Sequence, residues 1–554
     1  MFLQRSFSSQ HNFWPQFISP ALLENSIIIA YVGFAFVGML YHEMWIDELQ
    51  AWMIVRESSS LVDLYRNMSY EGHPFVWYFC LYVLSRFTSS PYIMQIFHLL
   101  ITTCVVVTFT KFSPFSLLQK FCFAFGYFSL FEYGVITRSY SLGVLLVFLF
   151  CATYCRNRKS YLLGSAILAL LANIHVFALI LSGVLSLLLL TDALADLKSI
   201  RQQRSIIFSP LAGAGLLISS WLIAILQMTR PVESEQFVHD NVVRETGLTE
   251  QIKYFASTLN SVWRSHVPVP MTGETDFWNT NIVTSNEFLP SFGSISLGDL
   301  IAIILSCVLV AATCFFLSKK PVVTGVYLLG TALVLSINYL YNCELRHFGH
   351  LFILALACFW ITESKLDSLR RYHPASLNQT KIAAAGSFFL SLLLSIQMIA
   401  GVYSISMDLL YPFSYSRTAA AYIRNNDLID LPLIGEDRDA SSISGYLNRP
   451  MYYLIRREIG TFWKGTTPAI QSEPERIALI QEALEQLEEA QAVLVLTHPI
   501  SLSALGANTV KSLANFGQPL AISNEEFFLY LVQKENTELA TLNKLSLALD
   551  RNGN

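Results

Sequence analysis

The fold is decided first by residues 25–52, which read NSIIIAYVGFAFVGMLYHEMWIDELQAW. A helix needs about 20 mainly apolar residues to cross the hydrocarbon core of a bilayer, so the run over 25–41 predicts a membrane helix. Two adjacent acids, Asp47 and Glu48, follow where that helix would leave the membrane. Charges near the membrane are costly unless they have a partner or a function, so this stretch predicts both a membrane fold and a candidate site.

The composition of the whole chain agrees with a membrane protein. Of its 554 residues, 53% are hydrophobic and 14% are charged, whereas a soluble domain carries about 25% charged residues. The sequence therefore predicts an all-α polytopic membrane domain. A net charge of −4 gives no reason to expect a nucleic-acid partner.

About eleven crossings are predicted from the apolar runs, together with helices that lie in the outer leaflet. The runs are 25–41, 92–110, 118–136, 140–155, 160–173, 175–191, 206–227, 297–317, 321–341, 349–362 and 382–402. Lys and Arg cluster in alternate connections, which the positive-inside rule assigns to the cytoplasm. The basic connections are TKFSPFSLLQK, RNRK, KSIRQQR, SKK and ESKLDSLRRYHPASLNQTK.

This orientation predicts a cytoplasmic N-terminal tail (1–24) and a transmembrane domain over 25–402. Its first outer loop covers 42–91 and its large outer loop covers 229–296. The apolar segment 74–87 is too short to cross, and a crossing there would place the basic connections outside. We therefore expect it to lie in the outer leaflet or to be re-entrant.

Two further segments are assigned by their residue patterns. Residues 49–66 predict a second helix in the outer leaflet, with an apolar face of Trp52, Ile54, Val55, Leu61 and Leu64. Residues 410–554 are rich in charge and combine short strand-like runs with a helical stretch. They predict a small soluble α/β domain on the outer face, which would be the periplasm of a bacterial cell.

The predicted topology brings the unusual polar residues to the outer side. Such residues at membrane depth usually face a cavity, and their types suit a lipid with an anionic phosphate head. They are Asp47, Glu48, His73, Glu132, Arg138, Tyr140, His175, Arg346, His347 and His350. Structural roles are the alternatives: Glu48 could pair with Arg56, Glu132 with Arg138, and the histidines could be packed in the core.

Five motifs in this order resemble the GT-C glycosyltransferases, in particular the bacterial group related to protein O-mannosyltransferases and lipid A aminoarabinose transferases. The motifs are WIDELQAW, GHPFVWYFCLY, EYGVITRSYSLG, NIHVFALIL and RHFGHLFILAL. The resemblance covers roughly 25–402. Phe75 stands where the family has the second proline of its HPP-like entry, and Val176 and His347 stand where it has tyrosines.

The resemblance implies an inverting transfer of a sugar from a polyprenyl-phosphate donor to an acceptor at the outer face of a bacterial inner membrane. Asp47 is then the candidate base, with Glu48 as a helper or as a ligand, with Asp47, of a Mg or Mn ion. Arg138 and Arg346 are candidates for stabilising the leaving phosphate, with His175 and His347 beside them. His73, Tyr140, Glu132 and His350 would line the substrate cavity. The acceptor could be a lipid, a glycan or a protein.

Three other functions stay open at the level of sequence. A transporter or flippase could bind the same anionic lipid without chemistry, although such proteins are often built from two related halves. An envelope glycan polymerase or ligase would keep the lipid phosphate and use a growing glycan. A scaffold could act through the C-terminal domain alone.

Overall fold

The structure is a computed structural model, and it describes residues 19–199, 208–229, 247–272, 277–293, 295–341, 343–370, 377–436, 438–464, 470, 472–503, 505, 508–517 and 520–534. Several predicted regions lie partly outside the described residues. They include most of the N-terminal tail (1–18), part of the large outer loop (230–246), the end of the chain (535–554) and parts of two basic connections (200–207 and 371–376).

The described part of the membrane domain is helical. In chain order its helices are α1 (Pro20–Tyr41), α2 (Ile46–Glu57), α3 (Leu61–Asn67), α4 (Phe75–Ser85), α5 (Tyr92–Phe112), α6 (Leu117–Ala124), α7 (Tyr140–Arg156), α8 (Tyr161–Ala172), α9 (Val176–Ser199), α10 (Phe208–Met228), α11 (Leu248–His266), α12 (Leu297–Leu317), α13 (Pro321–Tyr341), α14 (Leu345–Phe348), α15 (His350–Arg370) and α16 (Leu377–Leu410). A short hairpin, β1 (Ser291–Phe292) with β2 (Ile295–Ser296), precedes α12.

Eight spans in the described residues are long and apolar enough to cross a membrane, by length and composition. They correspond to α1, α5, α9, α10, α12, α13, α14 with α15, and α16. Eight of the eleven predicted runs overlap these spans. The chain is therefore an integral membrane protein with several apolar helices.

The other three predicted runs form shorter elements, so the count of eleven crossings stays a prediction. The runs 140–155 and 160–173 become α7 and α8. A continuous helix over 118–136 is wrong, because the run divides into α6 and a π-helical turn, Tyr127–Glu132. The chain turns tightly after it: a Cβ at Gly134 would lie 2.3 Å from the carbonyl oxygen of Leu130.

The segment predicted not to cross forms α4, which has 11 residues. At a rise of about 1.5 Å per residue, such a helix is about 16 Å long. The hydrocarbon core is about 30 Å thick, so α4 is too short to cross it alone. The length of α4 agrees with the expectation for 74–87, while its side of the membrane stays a prediction.

The second predicted outer-leaflet helix, over 49–66, is wrong in form and in surroundings. The segment divides into α2 and α3. Trp52, Ile54 and Val55 were expected on the membrane surface, but each has no exposed surface. They lie in the main core. Helix α4 and the segment after it cover this part of α2: Ser85 and Arg86 donate to the carbonyl oxygen of Val55, and Trp52 Nε1 donates to that of Ser89.

The C-terminal domain contains helices and a mixed six-stranded sheet. Its elements are α17 (Ser416–Asn425), β3 (Leu433–Gly435), α18 (Ser441–Leu447), β4 (Met451–Tyr453), β5 (Glu458–Gly460), α19 (Glu473–Gln486), β6 (Gln491–Leu496), β7 (Thr509–Phe516) and β8 (Phe527–Gln533). The strand order is β5-β4-β3-β6-β8-β7. Strand β3 pairs in parallel with β4 and β6, and the remaining pairs are antiparallel.

Alternation along β6 shows how this domain is joined to the rest. Leu494 faces a small core that also contains Ile480 of α19. Val493 and Val495, on the opposite face of the strand, belong to the main core, which continues into the membrane helices. Because side chains alternate along a strand, one face of the sheet is covered by α19 and the other packs toward the membrane domain.

Candidate active site

The two acids of the opening stretch lie in the first turn of α2. The backbone N–H of Trp45 donates to Glu48 Oε2 at 3.3 Å, so the Glu48 carboxylate closes the start of the helix. A helix N-terminus carries partial positive charge, which favours acids in this turn. Adjacent residues on a helix point about 100° apart, and this separates the surroundings of the two carboxylates.

Glu48 points inward and is fully buried. Its Oε1 accepts from the backbone N–H of Thr137 at 2.6 Å, and its Oε2 lies 2.9 Å from His42 Nε2. The other ring nitrogen of His42 lies 3.0 Å from Asp408. Both oxygens of Glu48 are therefore engaged within the protein. The expected roles of Glu48 as a catalytic helper or metal ligand do not agree with this placement, and neither does a pairing with Arg56.

His42 connects the end of α1 to α16, which carries Asp408, and to Glu48 in the first turn of α2. Burial lowers the pKa of His42, but the two carboxylates outweigh burial and raise the pKa to about 10. His42 is therefore cationic at neutral pH. The charged triad holds α2 beside the backbone of Thr137, one residue before Arg138.

Asp47 points the other way and is partly exposed, with 20% of its side chain accessible. Arg138 Nη1 lies 2.7 Å from Asp47 Oδ2, and Arg346 Nη2 lies 3.4 Å from the same oxygen. Burial raises the pKa of Asp47, but the nearby arginines outweigh it and hold the pKa well below its usual range. The structure thus brings together three predicted site residues that are widely separated in sequence.

Arg346 is held by aromatic rings. Its guanidinium carbon lies 5.3 Å from the ring centroid of Trp45 and 5.4 Å from that of Trp278. These contacts are within the range of cation–π attraction. Arg346 also forms an ion pair with Glu344, which is about half exposed. The arginine is therefore fixed in place, with one side open toward Asp47.

A cluster of rings lies next to Arg138. Its guanidinium carbon is 5.7 Å from the ring centroid of Tyr140. The centroid of Tyr140 lies 5.1 Å from that of His175, 6.0 Å from that of His347 and 5.8 Å from that of His350. These predicted site residues do meet, but as packed rings beside the arginine rather than as a ring around Asp47.

Two histidines of this cluster, His175 and His350, each have one ring nitrogen in a hydrogen bond and one without a partner in the part of the chain that the structure describes. His175 Nδ1 accepts from the backbone N–H of Ala178 at 3.1 Å, and His350 Nδ1 lies 2.7 Å from the carbonyl oxygen of His347. Within the described residues, Nε2 of both His175 and His350 is buried without a partner. His175 Nε2 therefore carries the ring hydrogen and could donate it to an oxygen atom of a ligand, whereas Nε2 of a neutral His350, whose Nδ1 donates to a carbonyl oxygen, could accept from a ligand hydroxyl.

Glu132 and His73 are the remaining predicted site residues, and the hydrogen-bond partners of Glu132 within the described ranges do not include Asp47. Glu132 is buried, and its Oε2 accepts from Tyr127 at 2.8 Å and from Trp278 Nε1 at 3.0 Å. It therefore orients Trp278, which stacks on Arg346, and the predicted pairing of Glu132 with Arg138 is not among its contacts in the described residues. His73 is half-buried just before α4. Its predicted place in the substrate cavity stays a prediction.

The C-terminal domain holds the helix that carries the two acids. Glu525 Oε1 accepts from the backbone N–H of Ile46 at 2.7 Å. Trp463 donates its backbone N–H to Gln50 at 3.1 Å, and Arg56 donates to the carbonyl oxygen of Gly445 at 3.2 Å. The helix is therefore fixed at its start, in its second turn and at its end by a domain that lies about 400 residues further along the chain.

Several residues of this site escaped the sequence analysis. Trp278 lies in the large outer loop, and Glu525 lies in the C-terminal domain, where no motif marks either of them. Arg438 follows β3 and lies close enough to Asp47 to contribute to the lowering of its pKa. Only the preference of an N-terminal helical turn for acids was available as a signal for the Glu48 network.

The side chains do not fit the predicted divalent metal. No group of three or more His, Cys, Asp or Glu side chains in the described ranges could hold a metal ion. Mg²⁺ and Mn²⁺ require carboxylate or other oxygen ligands, whereas Asp47 faces two guanidinium groups and Glu48 is fully engaged. The positive charge beside Asp47 comes from arginine.

Comparison with known proteins finds little similarity to this chain. No protein-family model matches the chain, and no curated protein matches it. Among solved structures, it is similar to the cryo-EM structure of the arabinofuranosyltransferase AftD from Mycobacteria, with 11% sequence identity and a TM-score of 0.33. The match covers 93% of this chain and 42% of that one, so the chain spans less than half the length of that protein.

Proposed function

We propose that this chain is an inverting, GT-C-like glycosyltransferase that moves a sugar from a polyprenyl-phosphate donor to an acceptor hydroxyl at the outer face of the membrane. The observation that carries this proposal is the position of Asp47 between Arg138 and Arg346. The Asp47 carboxylate can accept a proton, and the two guanidinium groups in contact with it can bind an anion. The resemblance of the five motifs supports the same reaction.

The reaction assigns each group one task. The acceptor oxygen attacks the anomeric carbon, and its proton passes to Asp47. The bond between that carbon and the phosphate oxygen breaks, and the electron pair leaves with the polyprenyl phosphate. Arg138 and Arg346 stabilise the charge that develops on this oxygen, since arginine binds phosphate with two parallel hydrogen bonds.

Donor binding would also prepare the base. Before the donor arrives, the two arginines hold the pKa of Asp47 low, which makes it a weak base. A bound phosphate shares the positive charge of both guanidinium groups, so the pKa of Asp47 rises toward its usual range. The carboxylate thus becomes a better base only when a donor is in place.

The surroundings suit a lipid substrate. Arg346 and Arg138 are only slightly exposed, and Trp45, Trp278 and Tyr140 supply apolar walls beside them. A lipid phosphate could reach the arginines while its chain stays among the apolar helices. The bacterial inner membrane and a periplasmic C-terminal domain are part of this proposal, as is catalysis without a metal.

The test is transfer by the purified full chain in proteoliposomes. A panel of polyprenyl-phosphate sugars would be supplied with lipid, glycan and peptide acceptors, and both glycosylated product and released polyprenyl phosphate would be measured by mass spectrometry. We expect equal amounts of the two products, and neither with Arg138→Ala combined with Arg346→Ala. Movement of intact donor across the bilayer without phosphate release would instead support a transporter, and products of increasing length would support a polymerase.

A further inference from the structure

A cavity of about 390 Å³ lies far from the candidate active site. It is lined by residues at the end of α7, in the connection after α7, in α9 and around the connection between α12 and α13, including Tyr154, Arg158, Asp192, Lys319 and Lys320. Helix α7 begins two residues after Arg138 and has 17 residues, which correspond to about 25 Å. The cavity therefore lies at the opposite end of this helix from Asp47.

The cavity has an excess of positive charge. Arg158, Lys319 and Lys320 line it, together with one acid, Asp192. That acid already accepts from Tyr154 at 2.7 Å and lies 3.6 Å from Arg158 Nη1. In the described part of the chain, neither lysine forms an ion pair with an acid.

Lys320 is the unusual member of this group. Its Nζ is buried and has no hydrogen-bond partner among the described residues. Burial and the nearby Arg158 lower the pKa of Lys320 to about 8. A buried ammonium group next to a like charge is unfavourable unless an anion binds it. An anionic ligand in the cavity would supply the negative charge that Lys320 lacks.

A second cavity, of about 430 Å³, shares Lys319 with the first. Its lining combines apolar side chains, among them Phe115, Phe316 and Phe359, with polar ones that include Gln119 and Glu363. A basic cavity that shares a wall with a cavity containing three phenylalanines suits a molecule with an anionic head and a hydrocarbon chain. A free phosphate ion would use only the first cavity.

We propose that these adjoining cavities bind an anionic phospholipid, with its phosphate at Lys320, Lys319 and Arg158 and an acyl chain against the phenylalanines of the second cavity. The basic connections that contain these residues are those predicted to face the cytoplasm, where membranes carry anionic lipids. Basic pockets between helices on that side bind anionic headgroups in other membrane proteins. This site is separate from the proposed transfer reaction and does not depend on it.

The test is native mass spectrometry of the full chain in detergent, titrated with phosphatidylglycerol or with phosphatidylcholine of the same acyl chains. Lys320→Gln removes the buried cation, and Lys320→Arg keeps it. Lys159→Gln is the matched control, since Lys159 is 73% exposed on the same connection as Arg158. Monodisperse gel filtration establishes folding, and Arg158→Gln replaces Lys320→Gln if the latter does not fold.

We expect phosphatidylglycerol to bind the parent in preference to phosphatidylcholine, and Lys320→Gln to weaken it about tenfold or more, as expected for loss of one charge-assisted hydrogen bond. Lys320→Arg and Lys159→Gln should stay within about twofold of the parent. Equal binding by Lys320→Gln and Lys159→Gln would overturn the proposal. Full displacement of the lipid by inorganic phosphate, at concentrations near its own affinity, would assign the site to free phosphate instead.

Discussion

Replacing Asp47 by Asn separates the two tasks that the structure gives to this residue. The amide keeps the size of the carboxylate and can still accept a hydrogen bond from Arg138 or Arg346. It can neither take a proton nor neutralise the two arginines. The substitution therefore removes the base and, at the same time, removes the competitor that occupies the proposed phosphate site.

These two losses act in opposite directions. Loss of a general base typically lowers the rate about 10²–10⁴-fold, which corresponds to about 3–5 kcal/mol in the activation barrier. A charge pair at about 4 Å is worth about 4 kcal/mol at an effective dielectric constant of about 20, and partial exposure of Asp47 reduces this. We therefore expect donor binding to become about tenfold tighter, a change of about 1.4 kcal/mol.

The assay is single-turnover transfer in proteoliposomes, combined with equilibrium binding of the donor. We expect Asp47→Asn to lower the rate of the transfer step while lowering the donor dissociation constant. Glu57→Gln is the control, since Glu57 lies at the exposed end of the same helix and faces neither arginine. A transfer rate equal to that of the parent would refute Asp47 as the base, and weaker donor binding would refute competition between Asp47 and phosphate.

Four further expectations test other parts of the account. Arg346→Lys should lower the transfer rate about tenfold or more with little loss of folding, because lysine cannot form two parallel hydrogen bonds to phosphate; an unchanged rate would contradict the phosphate role. The thermal stability of the parent should fall as pH rises from about 6.5 to 10, because the raised pKa of His42 makes its charged form stabilising. His42→Gln should flatten that part of the melting profile, whereas an equal fall in both proteins would reject this cause. Glu48→Gln should lower the melting temperature without the rate loss of a base, and a stable but inactive variant would return Glu48 to catalysis. Cysteines placed at Gly72 and Ser89 should be labelled from the same side of the membrane, while labelling from opposite sides would show that α4 crosses.

The helices were predictable because bilayer thickness imposes a length that apolar runs reveal. The break within 118–136 was not, since hydropathy does not register a π-helical turn. The buried position of α2 also escaped prediction, because its apolar residues pack against other parts of the protein and not against lipid. The strand-like runs in the C-terminal region correctly predicted β3, β6 and β8. Alternate side chains of these strands belong to two different cores.

The site was predictable to the extent that topology brings distant residues to one side. Arg138 and Arg346 were expected near Asp47, and the structure places both within ion-pair distance of it. Glu48 is buried and paired with a histidine, unlike Asp47. Its environment depends on His42 and on Asp408, which lies 366 residues from His42 in sequence. No local pattern signals such a contact, so adjacent acids with different surroundings looked alike in the sequence.

The most direct test of the central claim is a structure of the full chain in a nanodisc with a non-hydrolysable polyprenyl-phosphonate sugar. The account predicts that the phosphonate lies between Arg138 and Arg346, with guanidinium nitrogens about 2.7–2.9 Å from its oxygens. It also predicts that Asp47 faces the anomeric carbon from the side opposite the phosphonate, with space for an acceptor hydroxyl between them. A phosphonate bound elsewhere, with Asp47 still paired to both arginines, would contradict the proposed reaction.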